Sequence, residues 1–171
     1  MPKTFVYFAY GSNMLSCRLC SSARTPSAKA TGTGFITKRR LTFHKLSCDG
    51  SGKCDIESTE NISDRVYGVL FEIDDSEKGK LDETEGLGRG YDEEPVVDVV
   101  TSTNTIKART YIATKKESAL RPYHWYKALV ISGAIEHGLP EPYVEWLRTF
   151  KSQADPDIKR RAKNEKILFG S

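Results

Sequence analysis

The sequence predicts an α+β fold with a mixed, mainly antiparallel sheet. Two observations carry this. Strand-like segments are joined to one another by short turns, as hairpins, instead of alternating with regular crossover helices. The chain of 171 residues also suits one compact core, so residues 1–171 are expected to form a single domain. Such a sheet is a candidate for closing into a small barrel.

The elements follow in order. Residues 4–10 are β-branched and aromatic with few charges, the composition of a buried strand, and Gly11-Ser12-Asn13 ends it. Ser12 and Asn13 are good N-cap types, so a helix is expected to start there and run through Met14, Leu15 and Leu19. The Ser-, Pro- and Gly-rich stretch from Ser21 to Gly34 reads as a loop or short helix. Phe35 to Lys45 alternates, turns at Asp49-Gly50 and returns near Asp55-Ile56, a hairpin. Asp64 to Ile73 is apolar on both faces, as a central strand covered on both sides should be. Asp74 to Glu85 has a cap residue and good helix formers, and Gly86 stands where a left-handed stop belongs. Tyr91–Thr101 and Thr105–Thr114 form a second hairpin, with Pro95 at a bulge or edge. Pro122 to His137 is a helix. The amphipathic stretch from Pro140 to Phe150 has two places for its aromatic face, its own core or the second subunit of a homodimer. A basic helical tail from about residue 155 carries Lys159, Arg160, Arg161, Lys163 and Lys166; a solvated face is the plain reading and contact with a polyanion the alternative.

Lys plus Arg number 26 against 23 Asp plus Glu, so the net charge is 26 − 23 = +3. A balance so near neutral argues against nucleic acid or a membrane surface as partner. Apolar runs fall far short of the roughly 20 residues that cross a bilayer, and the N-terminus lacks a signal-peptide pattern, so a cytoplasmic protein is expected. Cys17 and Cys20 form C-x2-C, and Cys48 and Cys54 form C-x5-C. The second spacing is wide for a zinc knuckle, which favours free thiols over a metal site.

Two places could carry chemistry. At Tyr10-Gly11-Ser12-Asn13 a strand enters a helix start through glycine, which leaves backbone N–H groups free to meet a carboxylate or an oxyanion. An ordinary N-cap is the plainer reading. At Leu81-Asp82-Glu83-Thr84-Glu85-Gly86 three carboxylates gather at the negative end of a helix and repel one another. If Glu85 also enters a pocket, it is a candidate general acid/base; otherwise the cluster is a solvated acidic surface.

Tyr7-Phe8-Ala9-Tyr10-Gly11-Ser12-Asn13-Met14 resembles the Y-F-A-Y-G-S-N signature of the gamma-glutamylcyclotransferase family. In the right order, Leu81 to Gly86 resembles the family's L-D-x-x-E-G segment, Gly90-Tyr91 the element after it, and Tyr126-Lys127, Gly133 and Gly138-Leu139-Pro140 a later stretch. The resemblance implies a small mixed, mainly antiparallel β-barrel flanked by helices, a small-molecule γ-glutamyl substrate, and neither metal nor cofactor. It implies an enzyme in which the substrate's α-amine attacks its own γ-carbonyl, releasing 5-oxoproline and an amine. Glu85 would be the catalytic residue, and Tyr10, Gly11, Ser12, Asn13, Met14, Tyr91 and Tyr126 would bind substrate, the tyrosines donating through their hydroxyls. The leaving group is left open among an amino acid, a lysine side chain, Cys-Gly and an antibiotic carrying a γ-glutamyl protecting group, although Asn13-Met14 differs from the glutathione-specific branch. A non-catalytic module that binds γ-glutamyl or other carboxylate ligands is the alternative.

Overall fold

A computed structural model describes residues 1–169; the last two residues of the expected domain lie outside them. The strands are β1 (Thr4–Ala9), β2 (Lys29–Thr37), β3 (Arg39–Leu46), β4 (Gly52–Ser58), β5 (Arg65–Asp74), β6 (Tyr91–Val100) and β7 (Thr105–Ala113). The helices are α1 (Ser16–Leu19), α2 (Lys78–Glu85), α3 (His124–Glu136), α4 (Glu141–Arg148) and α5 (Ile158–Leu168). No helix among the described residues is long and apolar enough to cross a membrane.

Five strands close into a barrel in the order β1-β5-β2-β6-β7, while β3 and β4 form a separate hairpin. All barrel pairings are antiparallel except β1 with β7, which meet in parallel at Tyr7 and Arg109. As its two-faced apolar pattern predicts, β5 is central: it pairs with β1 along one edge and β2 along the other, and Val66, Val69, Leu70, Phe71 and Ile73 are all but inaccessible. Gly68 is needed there, because a Cβ would stand 2.4 Å from the Ala9 carbonyl oxygen and 2.6 Å from the Phe8 ring. The β6–β7 hairpin forms as expected, and its register shifts between Glu94 and Val97, placing the bulge at Pro95.

Three local expectations change. The helix expected from Ser12 breaks at Leu15, which is extended (φ −73°, ψ 114°), leaving a 3-10 turn at Ser12–Met14 and the single turn of α1. Residues 29–34, expected to be loop or short helix, form the first half of β2. Their side chains are largely exposed and carry no apolar period, so their strand character comes from backbone pairing along β5. The alternating segment from Phe35 to Lys45 is split at Lys38, whose φ of 57° turns the chain out of the barrel and into β3.

The β3–β4 hairpin is tied back by Asp55, which is wholly buried. Its Oδ1 accepts from the Ala113 N–H at 2.8 Å and its Oδ2 lies 2.8 Å from Lys116 Nζ. Helix α4 buries Tyr143, Val144 and Leu147 in its own chain, and Trp146 packs edge-on to Phe150. Helix α5 is anchored at its start by Asp155, which accepts from Trp125 Nε1 and Arg160 Nε, both at 2.8 Å. The Arg160 guanidinium beside Asp155 holds that carboxyl well below the usual carboxylate range.

Candidate active site

The end of β1, the 3-10 turn after it and the end of α2 meet over one cavity. Tyr7 points inward from β1, and the chain then passes through Tyr10 and Gly11 into Ser12 and Asn13, all of which line the cavity. Gly11 passes close beneath a second wall, since a Cβ on it would meet Cys54 Cβ at 3.1 Å. The turn is held in place by α3, where Gly133 admits Met14: a Cβ on that glycine would lie 2.7 Å from both Met14 Cβ and the Leu15 nitrogen. Opposite, α2 runs to Glu85 and stops because Gly86 takes the left-handed conformation (φ 73°, ψ 43°). That stop leaves Glu85 as the last helical residue, with its carboxyl turned into the cavity.

The three carboxylates of α2 have separate fates. Asp82 accepts from the Tyr111 hydroxyl at 2.5 Å and lies the same distance from Lys78 Nζ, whereas Glu83 is exposed. Glu85 keeps some residue surface, but its carboxyl end is enclosed. Its Oε1 accepts from the Tyr7 hydroxyl at 2.8 Å and from Asn13 Nδ2, and Asn13 is itself fixed by Arg24, whose Nη1 donates to Asn13 Oδ1 at 3.2 Å. Both bonds arrive at Oε1, so Oε2 is the oxygen left for a ligand. Burial pushes the Glu85 carboxyl above its usual range, against the opposing pull of the Tyr7 hydrogen bond and of the Arg24 and Arg18 charges. The main cause is therefore desolvation and not the mutual repulsion that the acidic cluster suggested.

Tyr10, Tyr91 and Tyr126 also line the inner cavity. The Tyr10 hydroxyl donates to the Tyr111 carbonyl at 2.5 Å and the Tyr91 hydroxyl to the Cys54 carbonyl at 2.6 Å. Their hydrogens are thus committed to the backbone, and what these two offer a ligand is lone pairs, contrary to the expectation that they donate. Tyr126 differs, since its oxygen accepts from the Cys54 N–H at 3.1 Å and its own hydrogen is not used in that bond. Burial raises the hydroxyls of Tyr7, Tyr10, Tyr91 and Tyr126 well above their ordinary value, so all four are neutral. Cys54, also on the wall, is pushed up to about 12 by burial and stays a thiol.

Of the residues predicted from sequence, the structure brings Tyr10, Gly11, Ser12, Asn13, Glu85, Tyr91 and Tyr126 together at the cavity. Met14 is not among them. It is wholly buried, packed under Gly133, because the 3-10 turn rotates it into the core. Sequence reasoning missed Tyr7 and Tyr111 as cavity residues, and Arg24 as the support for Asn13. Tyr7 shares the inward face of β1 with other buried residues, a signal that period-two alternation carries, but nothing local marks Arg24. The cysteines are all unpaired, and no group of three or more His, Cys, Asp or Glu among the described residues is placed to hold a metal ion.

The inner cavity, about 30 Å³, opens past Ser12, Asn13 and Glu85 into a wider vestibule of about 370 Å³. Comparison with known proteins gives this arrangement a family. Residues 65–147 match the model of the AIG2-like family. The chain is 35% identical over 160 residues to a human gamma-glutamylcyclotransferase, covering 87% of this chain and 80% of that one. The mouse gamma-glutamylcyclotransferase is 33% identical over 155 residues, with the same coverage. The chain belongs to the gamma-glutamylcyclotransferase family. A solved gamma-glutamyl cyclotransferase superposes on it with a TM-score of 0.84 at 29% identity, covering 99% of this chain and all of that one. The closed barrel with its flanking helices is therefore the gamma-glutamylcyclotransferase fold, and the Gly11-to-Asn13 turn and Glu85 face each other within it.

Proposed function

We propose that Glu85 is the single general acid/base of a γ-glutamyl cyclisation carried out in the inner cavity. The protein is a gamma-glutamylcyclotransferase, an enzyme that closes the γ-glutamyl moiety on itself to 5-oxoproline and frees the attached amine. The observation that carries the assignment to Glu85 is a buried carboxyl, tethered through one oxygen by Tyr7 and Asn13, with the other oxygen open to a ligand opposite a Gly-Ser-Asn turn.

The substrate's α-amine must lose a proton as it attacks the γ-carbonyl, and the departing nitrogen must gain one. A carboxyl whose pKa burial raises serves both needs, taking the proton as the new C–N bond forms and returning it as the old one breaks. Atoms balance without water or a further reactant. Gly11, Ser12 and Asn13 begin a helical turn, whose first N–H groups lack acceptors within it, so they suit the α-carboxylate or the oxyanion of the tetrahedral intermediate. Tyr10 and Tyr91 accept from the α-ammonium through their lone pairs, while Tyr126 is the tyrosine that can donate. The narrow tyrosine-walled space keeps the glutamyl chain bent, with amine and carbonyl in contact, which supplies much of the rate by orientation.

The test is 5-oxoproline release by the wild type and by Glu85→Gln. The variant is expected to keep its fold and its binding of 5-oxoproline, and to lose at least about a hundredfold in kcat. Unchanged turnover would remove Glu85 from the chemistry.

A further inference from the structure

Cyclisation accounts for the inner cavity but not for the charge outside it. The vestibule is lined by Arg18, Arg24, Lys45, Lys53 and Arg89 against Glu83 and Glu85, five cations to two carboxyls. Lys53 is answered by Asp49 at 3.2 Å, and Arg24 gives one nitrogen to Asn13. Arg18 is different. Its Nε is buried and has no hydrogen-bond partner among the described residues, although a guanidinium presents five donors. Burial and the neighbouring Arg24 draw its pKa down to about 10, so it remains charged at neutral pH and gains from any anion that reaches it.

The positive surface does not end at the vestibule. Past Arg18, Arg24 and Thr84 it continues into a groove between the segment around α1 and the face of α5, where Lys159, Arg160 and Lys163 join the lining. Among the described residues this groove is lined by no carboxylate. Arg160 is held by Asp155, but Lys159 and Lys163 are exposed. Like charges gathered along one groove repel, and an anionic ligand relieves that cost while a neutral one does not. The overall charge of +3 is thus distributed unevenly, with one face strongly positive beside the mouth of the site.

We infer that this track selects γ-glutamyl substrates whose leaving portion is extended and carries several carboxylates, as an oligoglutamyl chain does. The γ-glutamyl end enters the inner cavity, and the acidic remainder lies past Arg18 and Arg24 toward Lys159 and Lys163. The chemistry is unchanged: the α-amine forms its bond to the γ-carbonyl, the amide C–N bond breaks, and the shortened acidic peptide leaves with the proton from Glu85. The inference rests on the cyclotransferase reading and adds a substrate class to it.

Two peptides of equal length separate charge from size: γ-glutamyl-glutamyl-glutamate and γ-glutamyl-alanyl-alanine. At low salt the acidic peptide is expected to be turned over with a kcat/KM about tenfold higher or more. That preference should shrink in about 0.5 M salt, where the screening length falls to a few Å. It should also fall toward unity in the double variant Lys159→Glu/Lys163→Glu, whose substitutions lie on the exposed face of α5. Equal kcat/KM for the two peptides in the wild type would overturn the inference and leave the cyclotransferase reading intact, as would a preference that neither salt nor the double variant alters. Absence of 5-oxoproline from both peptides while γ-glutamyl-alanine is still cyclised would overturn the inference alone; absence from γ-glutamyl-alanine as well, with the protein folded, would overturn the cyclotransferase reading and the inference with it.

Discussion

Glu85 is placed where the fold works against its charge. Its folded pKa is raised by burial, so the ionised carboxyl is the form that folding penalises. The penalty is absent below the unfolded carboxyl's pKa of about 4.3 and grows as pH rises through the raised folded value. Glu85→Gln is therefore expected to melt at a higher temperature than the wild type at pH 8, and the two melting curves should converge below about pH 4. The Tyr7 hydroxyl pulls the other way, because its bond to Oε1 favours the carboxylate. Tyr7→Phe removes that bond and raises the Glu85 pKa further. Since the amine's proton needs an ionised acceptor, the low-pH limb of kcat/KM should move to higher pH in Tyr7→Phe, and a limb that stays in place would mean that another group sets it. Glu85 itself was legible from the helix stop at Gly86 and its place in the family motif. Its tethers were not, because Tyr7 and Asn13 reach it across 78 and 72 residues of chain.

Among the elements, the contact between α3 and the 3-10 turn has most influence on the site. Gly133 lets the helix backbone approach Met14 and Leu15, and that contact sets the height of Ser12 and Asn13 above the cavity. Gly133→Ala must push the turn away or distort α3. Overpacking of this kind costs about 1–3 kcal/mol, read as a lower urea midpoint at unchanged slope, and kcat should fall with it although Gly133 touches no substrate. The sequence marked Gly133 only as part of a motif; the packing reason appears once the two elements are seen together. The hairpins β3–β4 and β6–β7 and the stop of α2 were readable because their signals are local, an Asp-Gly turn, a Ser-Thr-Asn turn and a glycine cap. The start of β2 was not, since Lys29 to Gly34 has no apolar alternation and owes its conformation to the neighbouring edge of β5. The same holds for Lys38, whose positive φ no glycine or asparagine announces.

For the molecule as a whole, fold class was legible because hairpins leave a regular trace, and the family resemblance implied the barrel, while the strand order was not, because no short-range signal says which strands end up adjacent. Closure joins β1, from the start of the chain, to β7, across roughly a hundred residues, through a paired register of Tyr7 with Arg109. Two side chains reinforce the join: the Thr110 hydroxyl donates to the Phe8 carbonyl at 2.8 Å, and the Tyr10 hydroxyl to the Tyr111 carbonyl. Contacts of such long range are entropically costly to form and slow to assemble. Tyr7 and Tyr10 are also cavity residues, so the seam and the proposed reaction chamber are completed by the same residues. During refolding from urea, recovery of strand signal in circular dichroism should therefore precede recovery of 5-oxoproline release, and simultaneous recovery would show that the seam is not the late step. A chain still open at this seam would be catalytically silent, so the protein would become an enzyme only at the moment its two distant ends of sheet find each other.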